Sequence, residues 1–255
     1  MEKRFSGRVA LVTGATNGIG QATAVLLAAE GAVVAVNQRP TGDSRETLRR
    51  IKAAGGEGFP VVADMRDPAA VTAMVSETAR RGGRLDHIVS NAAINPFMKW
   101  DQTPLPEFDK LFETNVRGMW VVCTEGAKQM RKEGHGGSIV VVSSISAHVG
   151  ARDQVAYCGT KAAISMLGKA LGAVLGDIGI RVNVVEPGSI RTNMSAGLHS
   201  DPAVDKYYME RIALHRIGEP EEMASVIAFL LSDAASYVTS AALLADAGFI
   251  VNAEK

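Results

Sequence analysis

The chain has 255 residues, 47% apolar but only 5% aromatic, with 27 basic and 27 acidic side chains that cancel to zero net charge. With no basic block, the composition excludes an electrostatic nucleic-acid binder or an anionic-membrane binder. Cys123 and Cys158 lie far apart and form no CxxC, which excludes a disulfide framework or a zinc site.

Strand-like and helix-like runs alternate along the chain. Val9–Val12 is a short apolar strand, and Ile19–Glu30, Ala- and Leu-rich and stopped by Gly31, is a helix. Ala32–Val36 is the next strand. Asp43–Ala54 carries Leu48 and Ile51 on one face and ends at Gly55-Gly56, a helix. Gly58–Ala63 is a third strand, and Asp67-Pro68, an N-cap with proline at N1, opens a helix to Arg81. Leu85–Ser90 is a strand, Pro106–Lys132 a long helix, Ser138–Ser143 a strand and Gln154–Leu175 a second long helix. Val182–Glu186, a helix over Pro220–Leu231 and a last strand over Ala241–Asp246 complete the pattern.

The alternation predicts an α/β fold: a doubly wound, Rossmann-type parallel sheet of seven strands with helices on both faces. The length suits one large α/β domain or two small ones. No linker, repeat or low-complexity tract divides the chain, so we read 1–255 as a single domain. The long irregular stretch Gly188–Tyr208 follows a strand's carboxyl end, where ligands bind in such sheets, and is expected to be a substrate loop or lid. Met1–Gly7 lacks an apolar h-region, and no run approaches the ~18 apolar residues of a membrane span. A cytoplasmic protein with reduced cysteines is expected.

Two patterns carry chemistry. Thr13-Gly14-Ala15-Thr16-Asn17-Gly18-Ile19-Gly20 follows the first strand and opens the first helix, the context a dinucleotide turn requires. Its glycines let backbone approach a pyrophosphate, whose charge the helix N-terminus meets. The spacing is not GxGxxG, and an ordinary strand–helix turn would need one glycine rather than three. The second strand ends Val36-Asn37-Gln38-Arg39 with no carboxylate for a ribose 2′-hydroxyl. Arg39 is either a partner for a 2′-phosphate or a solvated surface cation. The balance favours NADP, with NAD tolerated.

The second pattern is Ser143-Ser144-Ile145-Ser146 followed by Tyr157-Cys158-Gly159-Thr160-Lys161. Four residues apart on a helix, Tyr157 and Lys161 share a face. A free phenol titrates near ~10, and a cation within ~4–6 Å lowers that by ~1–3 units. The expected product is a phenol that exchanges protons near neutrality. A serine upstream can hydrogen-bond the oxygen being protonated.

On these motifs the sequence resembles the short-chain dehydrogenases/reductases over essentially its whole length. The resemblance implies hydride transfer between NAD(P) and a hydroxyl or carbonyl. It makes Tyr157 the general acid/base, Lys161 the residue that lowers its pKa and binds the nicotinamide ribose, and Ser144 the positioner of substrate oxygen. Asn115, in Thr114-Asn115-Val116-Arg117-Gly118, becomes the anchor of a water joining Lys161 to solvent. It also implies that Gly14, Thr16, Asn17, Gly18, Ile19, Gly20, Gln38, Arg39, Asp64, Met65, Asn91, Ala92, Ala93, Pro187, Gly188, Ile190 and Thr192 hold the dinucleotide. Ala93, Ser240 and Ala247 stand where the family commonly has glycine. The long helices Pro106–Lys132 and Gln154–Leu175 pair between subunits in the family. With Gly168, Ala170, Gly172 and Ala173 permitting close approach, a homotetramer is expected.

The substrate candidates are Asn95, Ser144, Ser146, Gln154, Tyr157 and Ser189, in a wider set with Phe97, His148, Arg191 and Asn193. The set is rich in hydrogen-bonding groups and poor in large apolar ones, which suits a polyol. Local stretches, among them Asn91-Ala92-Ala93-Ile94-Asn95-Pro96-Phe97 and the tail Gly248-Phe249-Ile250-Val251-Asn252, resemble the bacterial sugar 1-dehydrogenases of the family, the L-rhamnose 1-dehydrogenases especially. That resemblance implies oxidation of an aldose at C1 to a lactone. The rivals are a 3-oxoacyl-[acyl carrier protein] reductase, for which Arg131-Lys132 would contribute a basic patch, and a non-catalytic NADP-binding regulator.

Overall fold

A computed structural model describes residues 3–197 and 201–252. Seven strands form one sheet in the order β3-β2-β1-β4-β5-β6-β7. They are β1 (Val9–Val12), β2 (Val33–Gln38), β3 (Glu57–Val62), β4 (His87–Ser90), β5 (Gly137–Val142), β6 (Ile180–Pro187) and β7 (Ala242–Ala245). Every pairing is parallel. The helices are α1 (Gly18–Ala29), α2 (Arg45–Ala53), α3 (Pro68–Gly82), α4 (Leu105–Phe112), α5 (Gly118–Glu133), α6 (Val155–Leu175), α7 (Pro202–Arg211) and α8 (Pro220–Leu231). No helix among the described residues is long and apolar enough to cross a membrane.

The strands are apolar on both faces because both faces are covered. Ala10 and Val12 of β1 face a core with Leu27 of α1, Ile51 of α2 and Ile227 of α8. Leu11, between them, faces the other core, with Met74 of α3, Val122 of α5 and Ile164 of α6. The order reverses at β1: β2 pairs on one side and β4 on the other, which opens a crevice between the loops after β1 and β4.

Three elements depart from the sequence expectation. The run read as one helix, Pro106–Lys132, is α4 and α5 joined by a π turn over Glu113–Arg117 that contains Asn115. Such turns insert one residue into a helix and recur at functional sites. The stretch read as irregular contains α7, opened by Asp201, whose side chain accepts from the Ala203 amide ahead of Pro202. Asp67-Pro68 gives the same signal at α3, so Asp201-Pro202 was readable as a helix start. Residues 198–200 of that stretch lie outside the described residues.

The third departure concerns α6. Gly168 and Gly172 do not open its outer face. A Cβ on Gly168 would lie 2.7 Å from Val184 Cγ2, and one on Gly172 would lie 2.7 Å from both the Val182 carbonyl and the Ser240 amide. These glycines bring α6 against β6. The outer face instead shows Ala170, Ala173, Met166 and Val174. Ser240 (φ 58°) and Ala247 (φ 53°) adopt the left-handed backbone that favours glycine. Their side chains therefore carry strain of order 1 kcal/mol each.

Candidate active site

The crevice widens into a cleft of about 1200 Å³ along the carboxyl ends of the strands. At one end is the turn between β1 and α1. Gly14 (φ 62°) and Gly18 (φ 54°) are left-handed. A Cβ on Gly14 would sit 2.8 Å from Ala92 Cα, and one on Gly20 would sit 2.4 Å from the Gly14 carbonyl. No side chain caps α1, and its first turn holds no acid, so its leading N–H groups face the cleft without an anionic competitor.

Three side chains fix this turn. Asn37 Oδ1 accepts from the Gly14 amide at 3.0 Å, and Asn91 Nδ2 donates to the carbonyls of Thr13 at 3.0 Å and Gly14 at 3.1 Å. Thr13 Oγ1 accepts from the amides of Asn91 (2.9 Å) and Ala92 (3.1 Å). Asn37 was legible only as the residue before Gln38; its place at the turn needed the β1–β2 pairing. Ala93 is absent from the left-handed backbone positions, so its methyl is tolerated where the family has glycine.

Gly14, Thr16, Asn17, Gly18, Ile19, Gln38, Arg39, Asp64, Met65, Asn91, Ala92 and Ala93 all line the cleft, while Gly20 lies beneath the turn. Gln38 is committed to its own loop: its amide donates to the Gly42 carbonyl at 3.0 Å and its oxygen accepts from the Ser44 amide at 3.0 Å. Asp64 is held by Arg66, with Nη2 to Oδ2 at 2.7 Å, and those hydrogen bonds keep its carboxyl below the usual range. Arg66, missed in the sequence, lines the cleft beside Arg39.

At the other end, Tyr157 and Lys161 are buried one turn apart on α6, with Lys161 Nζ 5.5 Å from the Tyr157 ring centroid. Nζ donates to the Val142 carbonyl at 2.9 Å, and the Ser143 hydroxyl donates to the Lys161 carbonyl at 2.9 Å. Ser144 opens a 3₁₀ turn over Ile145–Ala147 and hydrogen-bonds the Tyr157 side chain. Asn115 exchanges two bonds with the Ile94 backbone and donates to Thr160 Oγ1 at 3.1 Å. Its contacts thus join α6 to the loop after β4 and do not run to Lys161.

The electrostatics differ from the sequence expectation. Burial pushes the Tyr157 phenol above its ordinary value, opposed by the Ser144 hydrogen bond. Burial also pushes Lys161 down to about 7. Desolvation acts on both groups at once, and the lysine has a carbonyl rather than an acid as partner. Near neutrality its charge is partly lost, which weakens the pull it can exert on the phenol.

Pro187, Gly188, Ser189, Ile190 and Thr192 form the wall facing the glycine turn; a Cβ on Gly18 would lie 3.2 Å from Thr192 Cγ2. Asn95, Phe97, Ser144, Ser146 and Gln154 line the same cleft, with Asn95 Nδ2 donating to Gln154 Oε1 at 3.1 Å. His148, Arg191 and Asn193 do not line it. His148 turns to Glu186 at 2.7 Å, Arg191 pairs with Glu219 at 3.0 Å, and Asn193 is exposed. An aromatic wall was missed: Tyr207, Tyr208 and Phe249 line the cleft, the last two stacked with centroids 5.4 Å apart. Two of them lie on α7 and one in the tail, which only the fold brings together.

Residues 14–250 match a family model described as enoyl-(acyl carrier protein) reductase. The chain is 40% identical to L-rhamnose 1-dehydrogenase (NAD(P)(+)) of Sphingomonas sp., over 98% of this chain and 99% of that protein. It is 37% identical to versicolorin reductase 1 of Aspergillus parasiticus, over 96% of this chain and 97% of that one. A structure from Agrobacterium tumefaciens with bound NADP, provisionally described as a 2-deoxy-D-gluconate 3-dehydrogenase, superposes with a TM-score of 0.90 at 32% identity, covering 98% of this chain and 99% of that one. A glycine turn at one end of the cleft, a buried Tyr-Lys pair at the other and full-length relatives of this kind establish that the chain belongs to the short-chain dehydrogenases/reductases, NAD(P)-dependent oxidoreductases of CH–OH groups.

Proposed function

We propose that the chain oxidises an aldopyranose at C1 to its lactone with NADP⁺, accepting NAD⁺ as well. The observation that carries this is the convergence of Ser144, Tyr157, Asn95 and Gln154 in the cleft that also holds the glycine turn, in a chain 40% identical to a sugar 1-dehydrogenase. The cleft fits a dinucleotide: Gly14 and Gly20 leave no space for a side chain, and α1 presents free N–H groups. Those N–H groups would hold the pyrophosphate, Arg39 the 2′-phosphate, and Lys161 the nicotinamide ribose. The nicotinamide supplies the hydride acceptor when bound. Tyr157 takes the C1 hydroxyl proton, Ser144 donates a hydrogen bond to that oxygen, and Asn95 with Gln154 reads the ring hydroxyls. Asn115 holds the loop at Ile94 against the helix that carries Tyr157.

A second reading is reduction of a carbonyl compound. The aromatic wall of Tyr207, Tyr208 and Phe249 favours it, as does the reductase among the relatives. We further propose a cytoplasmic homotetramer. Trp120 of α5 and Met166 and Val174 of α6 are 44%, 61% and 63% exposed, large apolar side chains that a second copy would cover.

A panel of aldoses, aromatic ketones and acetoacetyl thioester separates the two readings. L-rhamnose and its stereochemical neighbours should give the highest kcat/KM, and Tyr157→Phe should bind NADPH normally while losing at least about a thousandfold in kcat. Turnover of the thioester or ketones alone would reject the sugar reading.

Because oxidation needs the deprotonated phenol and burial raises its pKa, oxidative kcat/KM should climb with pH through the neutral and alkaline range, while reduction, which needs the protonated form, should not. Lys161 favours the phenolate to the extent that it stays charged, so Lys161→Met should move the climb to higher pH. An unmoved profile would remove Lys161 from this role.

Arg39→Asp should shift the NADP/NAD preference toward NAD by roughly ten- to a hundredfold, since a hydrogen bond to a charged group contributes ~1.5–3 kcal/mol. An unchanged ratio would make Arg39 a solvated cation. Light scattering at micromolar concentration should return the mass of four chains; a monomer would contradict the assembly.

A further inference from the structure

Glu186 is a buried acid outside the proposed chemistry. It lies next to last in β6 and is 2% exposed. Neither lysine nor arginine pairs with it among the described residues. Two uncharged or titratable donors meet its carboxylate instead: Ser165 Oγ, 2.6 Å from Oε1, and His148 Nε2, 2.7 Å from Oε2. His148 therefore carries its proton on Nε2.

The three points of attachment are the three pieces that build the reacting end of the cleft. Ser165 is one turn beyond Lys161 on α6. His148 directly follows the 3₁₀ turn that Ser144 opens and that contains Ser146. Glu186 itself directly precedes Pro187-Gly188, where the opposite wall begins. A buried carboxylate that loses a partner keeps its desolvation cost without compensation, so each attachment holds its piece firmly. On the far side of the 3₁₀ turn the chain runs through Gly150–Asp153 and returns to α6. At its near side the turn follows β5, where the Ser143 amide donates to the Val185 carbonyl of β6 at 2.8 Å; the His148 side chain adds a second tie to β6 at the turn's far end.

We propose that Glu186 is a positioning residue. Through His148 and Ser165 it keeps Ser144 in register with Tyr157 and with the wall that starts at Pro187, and it touches no reacting atom itself. This rests on the roles given above to Ser144 and Tyr157, but not on the substrate being a sugar.

The test uses the full chain with His148→Ala, His148→Gln and Glu186→Gln. Each is assayed with whichever member of the panel wild type turns over fastest, so failure of the sugar reading leaves the test intact. NADPH binding by fluorescence and thermal unfolding are measured alongside. His148→Ala should lower kcat by roughly ten- to a hundredfold, because small displacements of a positioning group have effects of that size. KM, NADPH affinity and melting temperature should stay near wild type. His148→Gln, whose amide N–H replaces Nε2–H, should recover most of the loss, and Glu186→Gln should resemble His148→Ala. The proposal is overturned if His148→Ala keeps kcat within about twofold of wild type, if glutamine recovers nothing, or if kcat, cofactor affinity and stability all fall together. Since His148 is 43% exposed in its side chain, its variants keep the test open even where Glu186→Gln fails to fold.

Discussion

A lysine ammonium buried without an acid beside it is the constraint on which the site depends. Lys161 is 2% exposed and has a single backbone carbonyl, that of Val142, as its hydrogen-bond partner. Burial of that kind is unfavourable and persists only where packing leaves the side chain no alternative. The packing is supplied by α6, whose Gly168 and Gly172 let the helix approach β6 closely enough to clash with any added side chain. Close approach seats Tyr157 and Lys161 under the carboxyl end of the sheet, and the same burial moves both pKa values in the directions that leave the site short of charge.

The other end of the cleft is built from backbone rather than charge. Gly14 lies against Ala92, across the point where the strand order reverses, and Thr13, Asn37 and Asn91 satisfy the backbone groups exposed by the turn. The turn's shape is thereby set before any ligand arrives. Preorganisation of that kind lowers the ordering cost of binding. Asn115 joins the loop after β4 to α6: its π turn departs from regular helix and places one amide between the Ile94 backbone and Thr160.

Much of this was legible in the chain. The seven strands and most helices follow from apolar runs punctuated by Gly31, Gly55-Gly56 and Asp67-Pro68. The pairing of Tyr157 with Lys161 follows from helical spacing. What failed did so for identifiable reasons. His148, Arg191 and Asn193 sit in the right loops, but a loop position does not say which way a side chain turns, and each found a partner or solvent outside the cleft. Gly168 and Gly172 were grouped with Ala170 and Ala173 as small residues permitting close helix approach, because composition does not say which neighbour each one meets; both lie against β6. The aromatic wall was invisible because Tyr207, Tyr208 and Phe249 come from segments some forty residues apart.

The sequence by itself determined the architecture, the glycine turn and the pairing of Tyr157 with Lys161, because these rest on local spacing: three glycines between a strand and a helix, and a tyrosine one turn before a lysine. Only the tertiary structure decided the burial of that pair and the direction in which it moves their pKa values, the aromatic wall of the cleft and the partners of Glu186. Burial and long-range juxtaposition set those, and neither is a property of any short stretch of chain.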